Sequence, residues 1–168
     1  MPRVMEEQFL RDVLKEHEPA ILFCRQLAMV SQVIDDLYDQ DKDYDADAML
    51  KAFWISLIDL HYNSFFRQHM DELVPVMQGA LMDWMDSSQL EKGTDHERNI
   101  AFVLRDSLSN IVSHCALIVG GYNWMRETSV EVRRHVFEDR LDQYKEGLKQ
   151  CQSAVEEGLQ NLAKGKNS

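Results

Sequence analysis

The stretch PAILFCRQLAMVSQVIDDLY, residues 19–38, decides the fold class of this chain. Its apolar residues cover most of the circumference of a helix, and Pro19 stands where a helix can begin without losing a backbone hydrogen bond. A helix that is apolar on most sides is typical of the middle of a helical bundle. We therefore predict an all-α protein in which this segment is the central helix.

Helices on both sides of this segment are predicted by apolar residues at steps of three and four. With only 7 glycines and 3 prolines among 168 residues, the chain favours long helices over a many-turned β fold. The further helical regions are 4–17, 48–61 capped by Asp45 or Asp47, a region ending near residue 91 that Pro75 either kinks or divides into two helices near Val74, 94–119, and 128–162. Together with 19–38 they make about six helices.

Two capping boxes mark helix starts, one from Thr94 to Glu97 and one from Thr128 to Glu131. In a capping box the threonine oxygen accepts from the third backbone N–H, while the glutamate reaches back to the backbone of the cap residue. We expect the first box to open a helix that Gly120-Gly121 stops. The second box should open the last and longest helix.

That last helix carries a heptad pattern, which is typical of coiled coils. The pattern consists of Val130, Phe137, Leu141, Tyr144, Leu148, Cys151, Val155 and Leu162. It predicts either packing within the same bundle or self-association through the C-terminal helix. The predicted organisation is a single helical domain over 1–163, followed by a frayed tail over 164–168.

The composition limits both partners and location. Net charge is −11, from 29 acidic and 18 basic residues, which disfavours nucleic acid and anionic membranes as partners. Cys24, Cys115 and Cys151 lie apart without CxxC spacing, so we expect buried free thiols in a reducing compartment. No segment is predicted to span a membrane or to serve as a secretion signal. These features predict a cytoplasmic protein.

The strongest candidate for a metal-binding motif is the string Asp35-Asp36-Leu37-Tyr38-Asp39. Asp35 and Asp39 lie one helical turn apart, so their carboxylates can share a hard cation. The string resembles the DDxxD motif with which class I isoprenoid synthases hold magnesium and diphosphate, and Asp83, Ser87 and Glu91 loosely fit the second ligand set of that family. The chain is shorter than such synthases. An acidic helix end without metal is the competing interpretation.

For the acidic loop, His114 and Arg105, we expect structural roles and not catalysis or metal binding. The aspartates that alternate from Asp39 to Asp47 are similar to an EF-hand loop, but Tyr44 and Leu50 replace the required glycine and glutamate, which favours a solvated acidic loop. We expect His114 to be a core histidine with its hydrogen bonds satisfied. Arg105 should pair with Asp59, Asp35 or Asp36, because a buried charge needs a partner.

Four strings together resemble a group of small uncharacterised all-helical proteins of tailed bacteriophages. They are IDDLYDQDKDYD (34–45), DLHYNSFFRQHMDELVPVMQGALMDW (59–84), VLRD (103–106) and GGYNWMRE (120–127). The resemblance implies a phage origin and a place in the bacterial cytoplasm or the virion. It carries no catalytic residues over to this chain.

The leading hypothesis is a non-enzymatic helical protein that acts through protein–protein contacts, in phage particle assembly or in the virion. Its basis is the heptad helix, the many aromatic residues and the lack of a complete catalytic motif. One alternative is a Mg²⁺-dependent enzyme acting on a diphosphate with Asp35, Asp36 and Asp39 as metal ligands. The other is an acidic decoy that blocks a host protein which binds nucleic acid.

Overall fold

The computed structural model describes residues 7–39, 45–137 and 140–149, and every regular element within these ranges is helical. The elements are α1 (Glu7–Val13), α2 (Glu18–Asp39), α3 (Ala46–Trp54), a π-helical segment (Ile55–Asp59), α4 (Leu60–Tyr62), α5 (Ser64–Gln68), α6 (Met70–Leu90), α7 (Asp95–Leu104), α8 (Ser107–Val136) and a helical segment at 141–149. The predicted all-α class is confirmed.

The chain divides into two compact units, so the single domain over 1–163 stays a prediction. The first unit comprises Met1–Met82 and Asp106–Glu138, and the second Asp83–Arg105 and Asp139–Ser168. Cys151, Val155, Leu162 and the tail at 164–168 lie outside the described residues.

In the first unit α2 is the central helix, as predicted. It packs against α1, α3, the π-helical segment, α5 and α8. Phe23 is fully buried there, and its ring stacks on Phe66 with centroids 5.5 Å apart and lies 6.0 Å from Phe65. The core also contains Leu10, Leu14, Ile21, Leu27, Leu73, Ile111, Val112, Cys115 and Val132. Burying these apolar side chains is the main source of stability in this unit.

The turn between α1 and α2 uses a left-handed backbone at two residues that are not glycine. Lys15 and Glu16 have φ of 51° and 57°. Glu16 N–H donates to the Arg11 carbonyl at 2.9 Å, which satisfies a carbonyl at the end of α1 as in a Schellman motif. Trp124 of α8 ties down the same helix end, because its Nε1 donates to the Val13 carbonyl at 2.8 Å.

The second unit is organised around Tyr144, which is buried. Its hydroxyl donates to Glu91 at 2.6 Å, and its ring lies 5.2 Å from that of Phe102. Burial, with the Glu91 carboxylate beside it, raises the pKa of the Tyr144 hydroxyl. Nearby, Lys145 pairs with Asp95 at 2.5 Å.

Two of the predicted helix boundaries are confirmed, and a third is shifted. Asp45 caps α3, since its carboxylate accepts from the backbone of Asp47 and Ala48. The Thr94 box is complete, with both of its hydrogen bonds present. The division into two helices that was the alternative to a kink near Val74 is wrong, because the interruption falls at His69 and α6 runs through Pro75. Pro75 is exposed in the second turn of α6, where it leaves the carbonyl of Asp71 without its helical hydrogen bond from the backbone of residue 75.

The predicted helix over 94–119 is wrong in its middle, because the chain leaves the helix at Arg105 and Asp106. The start predicted at Thr128 is also wrong. Thr128 lies within α8, and its hydroxyl donates back to the Trp124 carbonyl at 3.0 Å instead of capping a new helix. The helix ends at Val136, and Phe137 is extended (ψ 93°), so residues from Val130 to Leu148 do not share one continuous helix.

The helix stop predicted at Gly120-Gly121 is confirmed in part: helical geometry is interrupted at Gly121, and α8 continues beyond this kink. Gly121 has φ 77° and ψ 180°, a conformation that is essentially restricted to glycine. A Cβ on Gly120 would lie 2.2 Å from Cδ1 of Trp124. The glycine pair therefore lets α8 change direction while Trp124 keeps its bond to α1.

One helical region is long and apolar enough to span a membrane by length and composition alone, contrary to the prediction from the sequence. Residues 107–125 contain no Asp, Glu, Lys or Arg. Core helices of soluble proteins pass the same test, and Ile111, Val112, Cys115 and Ala116 are buried in the first unit. The observation is therefore weak evidence for a membrane segment.

Candidate interaction surface

Residues 46–62 form a continuous helical rod made of α3, the π-helical segment and α4. One side of the rod faces the core through Ala52, Ile55 and Leu60, which are all buried. At its end, Asn63 anchors the chain, since its Nδ2 donates to the Pro19 carbonyl at 2.9 Å and its Oδ1 accepts from Phe66 N–H. The rod is thus fixed against α2 by one side only.

The opposite side of the rod is also apolar, but it faces solvent. The exposed fractions are 67% for Leu50, 64% for Phe53, 61% for Trp54, 65% for Leu57, 37% for Ile58 and 80% for Tyr62. We call these six residues the α3 stripe. Monomeric proteins rarely expose contiguous apolar patches beyond a few hundred Å². The stripe is therefore the feature of the described surface most suited to binding.

The π-helical segment keeps both faces of the rod in register. Leu60 N–H donates to the Ile55 carbonyl, and such a turn takes in an extra residue compared with an α turn. In an unbroken α-helix, Leu60 would be offset from Ala52 by about 80° around the axis. The extra residue brings Leu60 back to the buried side and Tyr62 back to the side of Trp54.

Two hydrogen bonds accompany this turn. Ser56 Oγ donates to the Ala52 carbonyl at 2.8 Å, which competes with the regular backbone pairing of an α-helix. Trp54 Nε1 donates to Asp59 Oδ1 at 2.9 Å, so the indole is held across the π-helical segment although it is exposed. A fixed aromatic side chain loses little conformational entropy when it binds a partner.

The apolar residues of the helix predicted over 48–61 include Phe53, Trp54, Leu57 and Leu60, and the structure divides them between two sides of the rod. The three former residues face solvent, and Leu60 faces the core. The exposure of these three residues could have been predicted from the width of the apolar arc around the axis of the rod. Apolar residues occur on both sides of the rod, whereas a helix at the rim of a bundle needs only one apolar side.

The predicted magnesium ligands lie at the end of α2. Asp35 is half-buried, and Asp36 is exposed and accepts a hydrogen bond from Gln32 Nε2 at 2.9 Å. The side chain of Asp39 and residues 40–44 of the acidic loop lie outside the described part of the chain. Among the side chains that are described, no three of His, Cys, Asp or Glu lie close enough to hold a metal. Metal binding at Asp35, Asp36 and Asp39 stays a prediction.

Two members of the second ligand set proposed with it, Ser87 and Glu91, already have structural partners. Ser87 is buried, and its hydroxyl donates to the Trp84 carbonyl at 2.7 Å. Glu91 accepts from the Tyr144 hydroxyl. A metal or a diphosphate would have to compete with these bonds.

The expectation that Arg105 is a buried charge is wrong, whereas its pairing with Asp59, Asp35 or Asp36 stays a prediction. Arg105 is exposed and lies over the Tyr144 ring at 5.0 Å, while the buried charge is its neighbour Asp106. The nearest cation to Asp106 is the Arg133 guanidinium, whose Nη1 is 3.7 Å from Oδ2. Burial raises the pKa of the Asp106 carboxyl to about 6, and the Ser109 side chain and Arg133 oppose that shift.

The buried thiols are confirmed for Cys24 and Cys115, and their sulfurs lie 3.8 Å apart. The neighbouring Cys24 thiol and burial raise the pKa of Cys115, which makes it a weak nucleophile. The expectation for His114 is wrong: within the described residues its buried Nε2 has no hydrogen-bond partner.

Comparisons with known proteins add no relative. No family model, no curated protein and no solved structure matches this chain.

Proposed function

We propose that this chain is a non-enzymatic helical protein that acts by binding another protein through the α3 stripe. The observation that carries the proposal is the exposure of the stripe on a rod that is held rigidly from its other side. Aromatic residues such as Phe53, Trp54 and Tyr62 are enriched at binding hot spots, because they bury a large area at a low entropic cost.

The setting that we propose is the bacterial cytoplasm or a phage particle, in keeping with the phage resemblance of the sequence. The net charge of −11 supports a protein partner over an anionic membrane, because like charges repel. Self-association through the C-terminal heptad helix, proposed from the sequence, would use a different surface and stays a separate prediction.

Site-specific photo-cross-linking tests the proposal. A photoreactive amino acid replaces Phe53 in the full chain, which is expressed in bacterial cells. The matched control carries the same group in place of Tyr122, an aromatic residue of α8 with a similar exposed fraction of 67%. We expect discrete protein adducts from position 53 and none of the same mass from position 122. Identical adduct patterns, or no adduct from position 53, would contradict a binding role for the stripe.

A further inference from the structure

The area of the α3 stripe can be compared with the area that a protein–protein interface buries on each partner. With side chains of this size and exposure, the stripe offers roughly 600–700 Å² of largely apolar surface. A specific protein–protein interface buries about 800 Å² on each partner. The stripe and its immediate rim therefore suffice for one side of a stable dimer, and they are large for a contact with a short peptide.

The charges at the two ends of the rod indicate which partner fits. Asp45 and Asp47 are exposed at its N-terminal end, and Arg67 is exposed just beyond its C-terminal end, while Lys51 and Asp59 lie between them with opposite signs. Two such rods packed antiparallel bring Asp45 and Asp47 of each copy to the level of Arg67 of the other. Parallel packing would place like charges together.

The stripe is also compatible with twofold symmetry. About an axis at the level of Ser56, Leu50 of one copy lies opposite Tyr62 of the other, and Trp54 lies opposite Ile58. Four of the six stripe residues thus meet another stripe residue in reciprocal pairs, as a self-complementary interface requires, while Phe53 and Leu57 lie at the levels of residues 59 and 55. The helix dipoles of two antiparallel rods also oppose each other, which is electrostatically favourable.

From area, charge and symmetry together, we infer that the partner of the α3 stripe is a second copy of this chain, packed antiparallel along residues 46–62. The inference rests on the proposed function, because it identifies the occupant of the same surface. Two stripes bury each other without any further protein.

Sedimentation equilibrium of the full chain up to roughly 200 µM tests the inference. We expect a mass near twice the 19.6 kDa of one chain. Leu57→Asp should raise the dissociation constant by at least about 30-fold, because it removes an interface contact and buries a charge. The control is Val103→Asp, at a site with a matching exposed fraction of 63%, which should leave the dimer intact. Circular dichroism shows that both variants are folded.

Disulfide trapping in a Cys151→Ser background tests the orientation. Under mild copper–phenanthroline oxidation, Leu57→Cys should form a covalent dimer, because the two copies of residue 57 lie within about 3 Å along the axis. Leu50→Cys should not, because an antiparallel pair holds the two copies of residue 50 about 18 Å apart along the axis. Equal trapping at both positions would overturn the antiparallel arrangement.

The outcomes separate this inference from the proposed function. A monomeric wild-type chain, or a dimer that Leu57→Asp leaves unchanged, overturns the second copy as occupant. If position 53 then still forms adducts with a different protein, the stripe is a binding surface for that protein. If it forms none, the proposed function fails as well.

Discussion

The helix α2 and the rod over residues 46–62 are both apolar on most of their surface, yet they are used in opposite ways. Other helices cover α2 from several directions, and its Phe23 is fully buried. The rod is covered on one side only, and its Phe53 is 64% exposed. Apolar content alone therefore did not decide burial. The number of neighbours that the chain places around a helix decided it.

The largest expected loss of stability comes from a substitution in α2, the covered helix. Phe23→Ala should lower the free energy of unfolding by about 3–5 kcal/mol, because it leaves a cavity between α2 and α5 that the neighbours fill only in part. Urea denaturation followed by circular dichroism measures the loss. A loss below about 1 kcal/mol would mean that α2 is not the packed centre of the first unit.

The next effect concerns the bend of α8 at Gly121. Gly121→Ala should lower the free energy of unfolding by about 1–3 kcal/mol, because alanine rarely adopts the backbone angles of Gly121. The matched control is Gly79→Ala, in the exposed interior of α6 with no atom within 4 Å of the added Cβ. That change should raise stability by about 0.5–1 kcal/mol, because alanine favours a helix over glycine. Equal effects of the two changes would remove the special role of the bend.

A third effect is on the buried charge at the start of α8, and it depends on pH. The folded protein holds the pKa of Asp106 at about 6, above the ordinary 3.8, so it binds more protons than the unfolded chain between those values. The contribution of Asp106 to stability should therefore fall as pH rises through this window and stay level above it. Asp106→Asn removes the ionisation, so we expect it to be about 1–2 kcal/mol more stable than wild type at pH 8. Urea denaturation at both ends of the window checks this, and a difference that is the same at pH 4 and pH 8 would contradict it.

The smallest expected change in stability comes from a substitution on the exposed side of the rod. Phe53→Ala should change the free energy of unfolding by less than about 0.5 kcal/mol at low micromolar protein, because the side chain buries little within one chain. Thermal unfolding at increasing protein concentration sharpens the comparison. A loss that grows with concentration reports a second copy, since association stabilises the folded state by mass action. A large loss at every concentration would place Phe53 in the core.

Local signals in the sequence predicted local structure well. The hydrogen-bonding side chains of Asp45 and Thr94 fixed the starts of α3 and α7, because a cap depends only on the few residues that follow it. The central place of α2 followed from its all-round apolar surface. Thr128 had the same pattern as Thr94 and failed as a cap, because the backbone around it was already helical and offered a carbonyl instead.

What the sequence could not supply depends on residues that are distant along the chain. The exposed face of the rod was not predicted, because both faces are apolar and the small Ala52 marks the buried one. The break at Arg105 and Asp106 carries neither glycine nor proline, so no local rule located it. The proximity of Cys24 and Cys115 arises from the packing of α2 on α8. For the aspartates at 35, 36 and 39, the motif alone predicts metal binding.

The two buried thiols have a practical consequence. A reagent such as iodoacetamide reaches Cys24 or Cys115 only after α2 and α8 separate, because both side chains are closed off from solvent. In a Cys151→Ser background, the alkylation rate of the chain under native conditions would therefore count openings of its central helix pair. The alkylation of these two cysteines, followed by mass spectrometry, thus measures how often the core opens in the absence of denaturant.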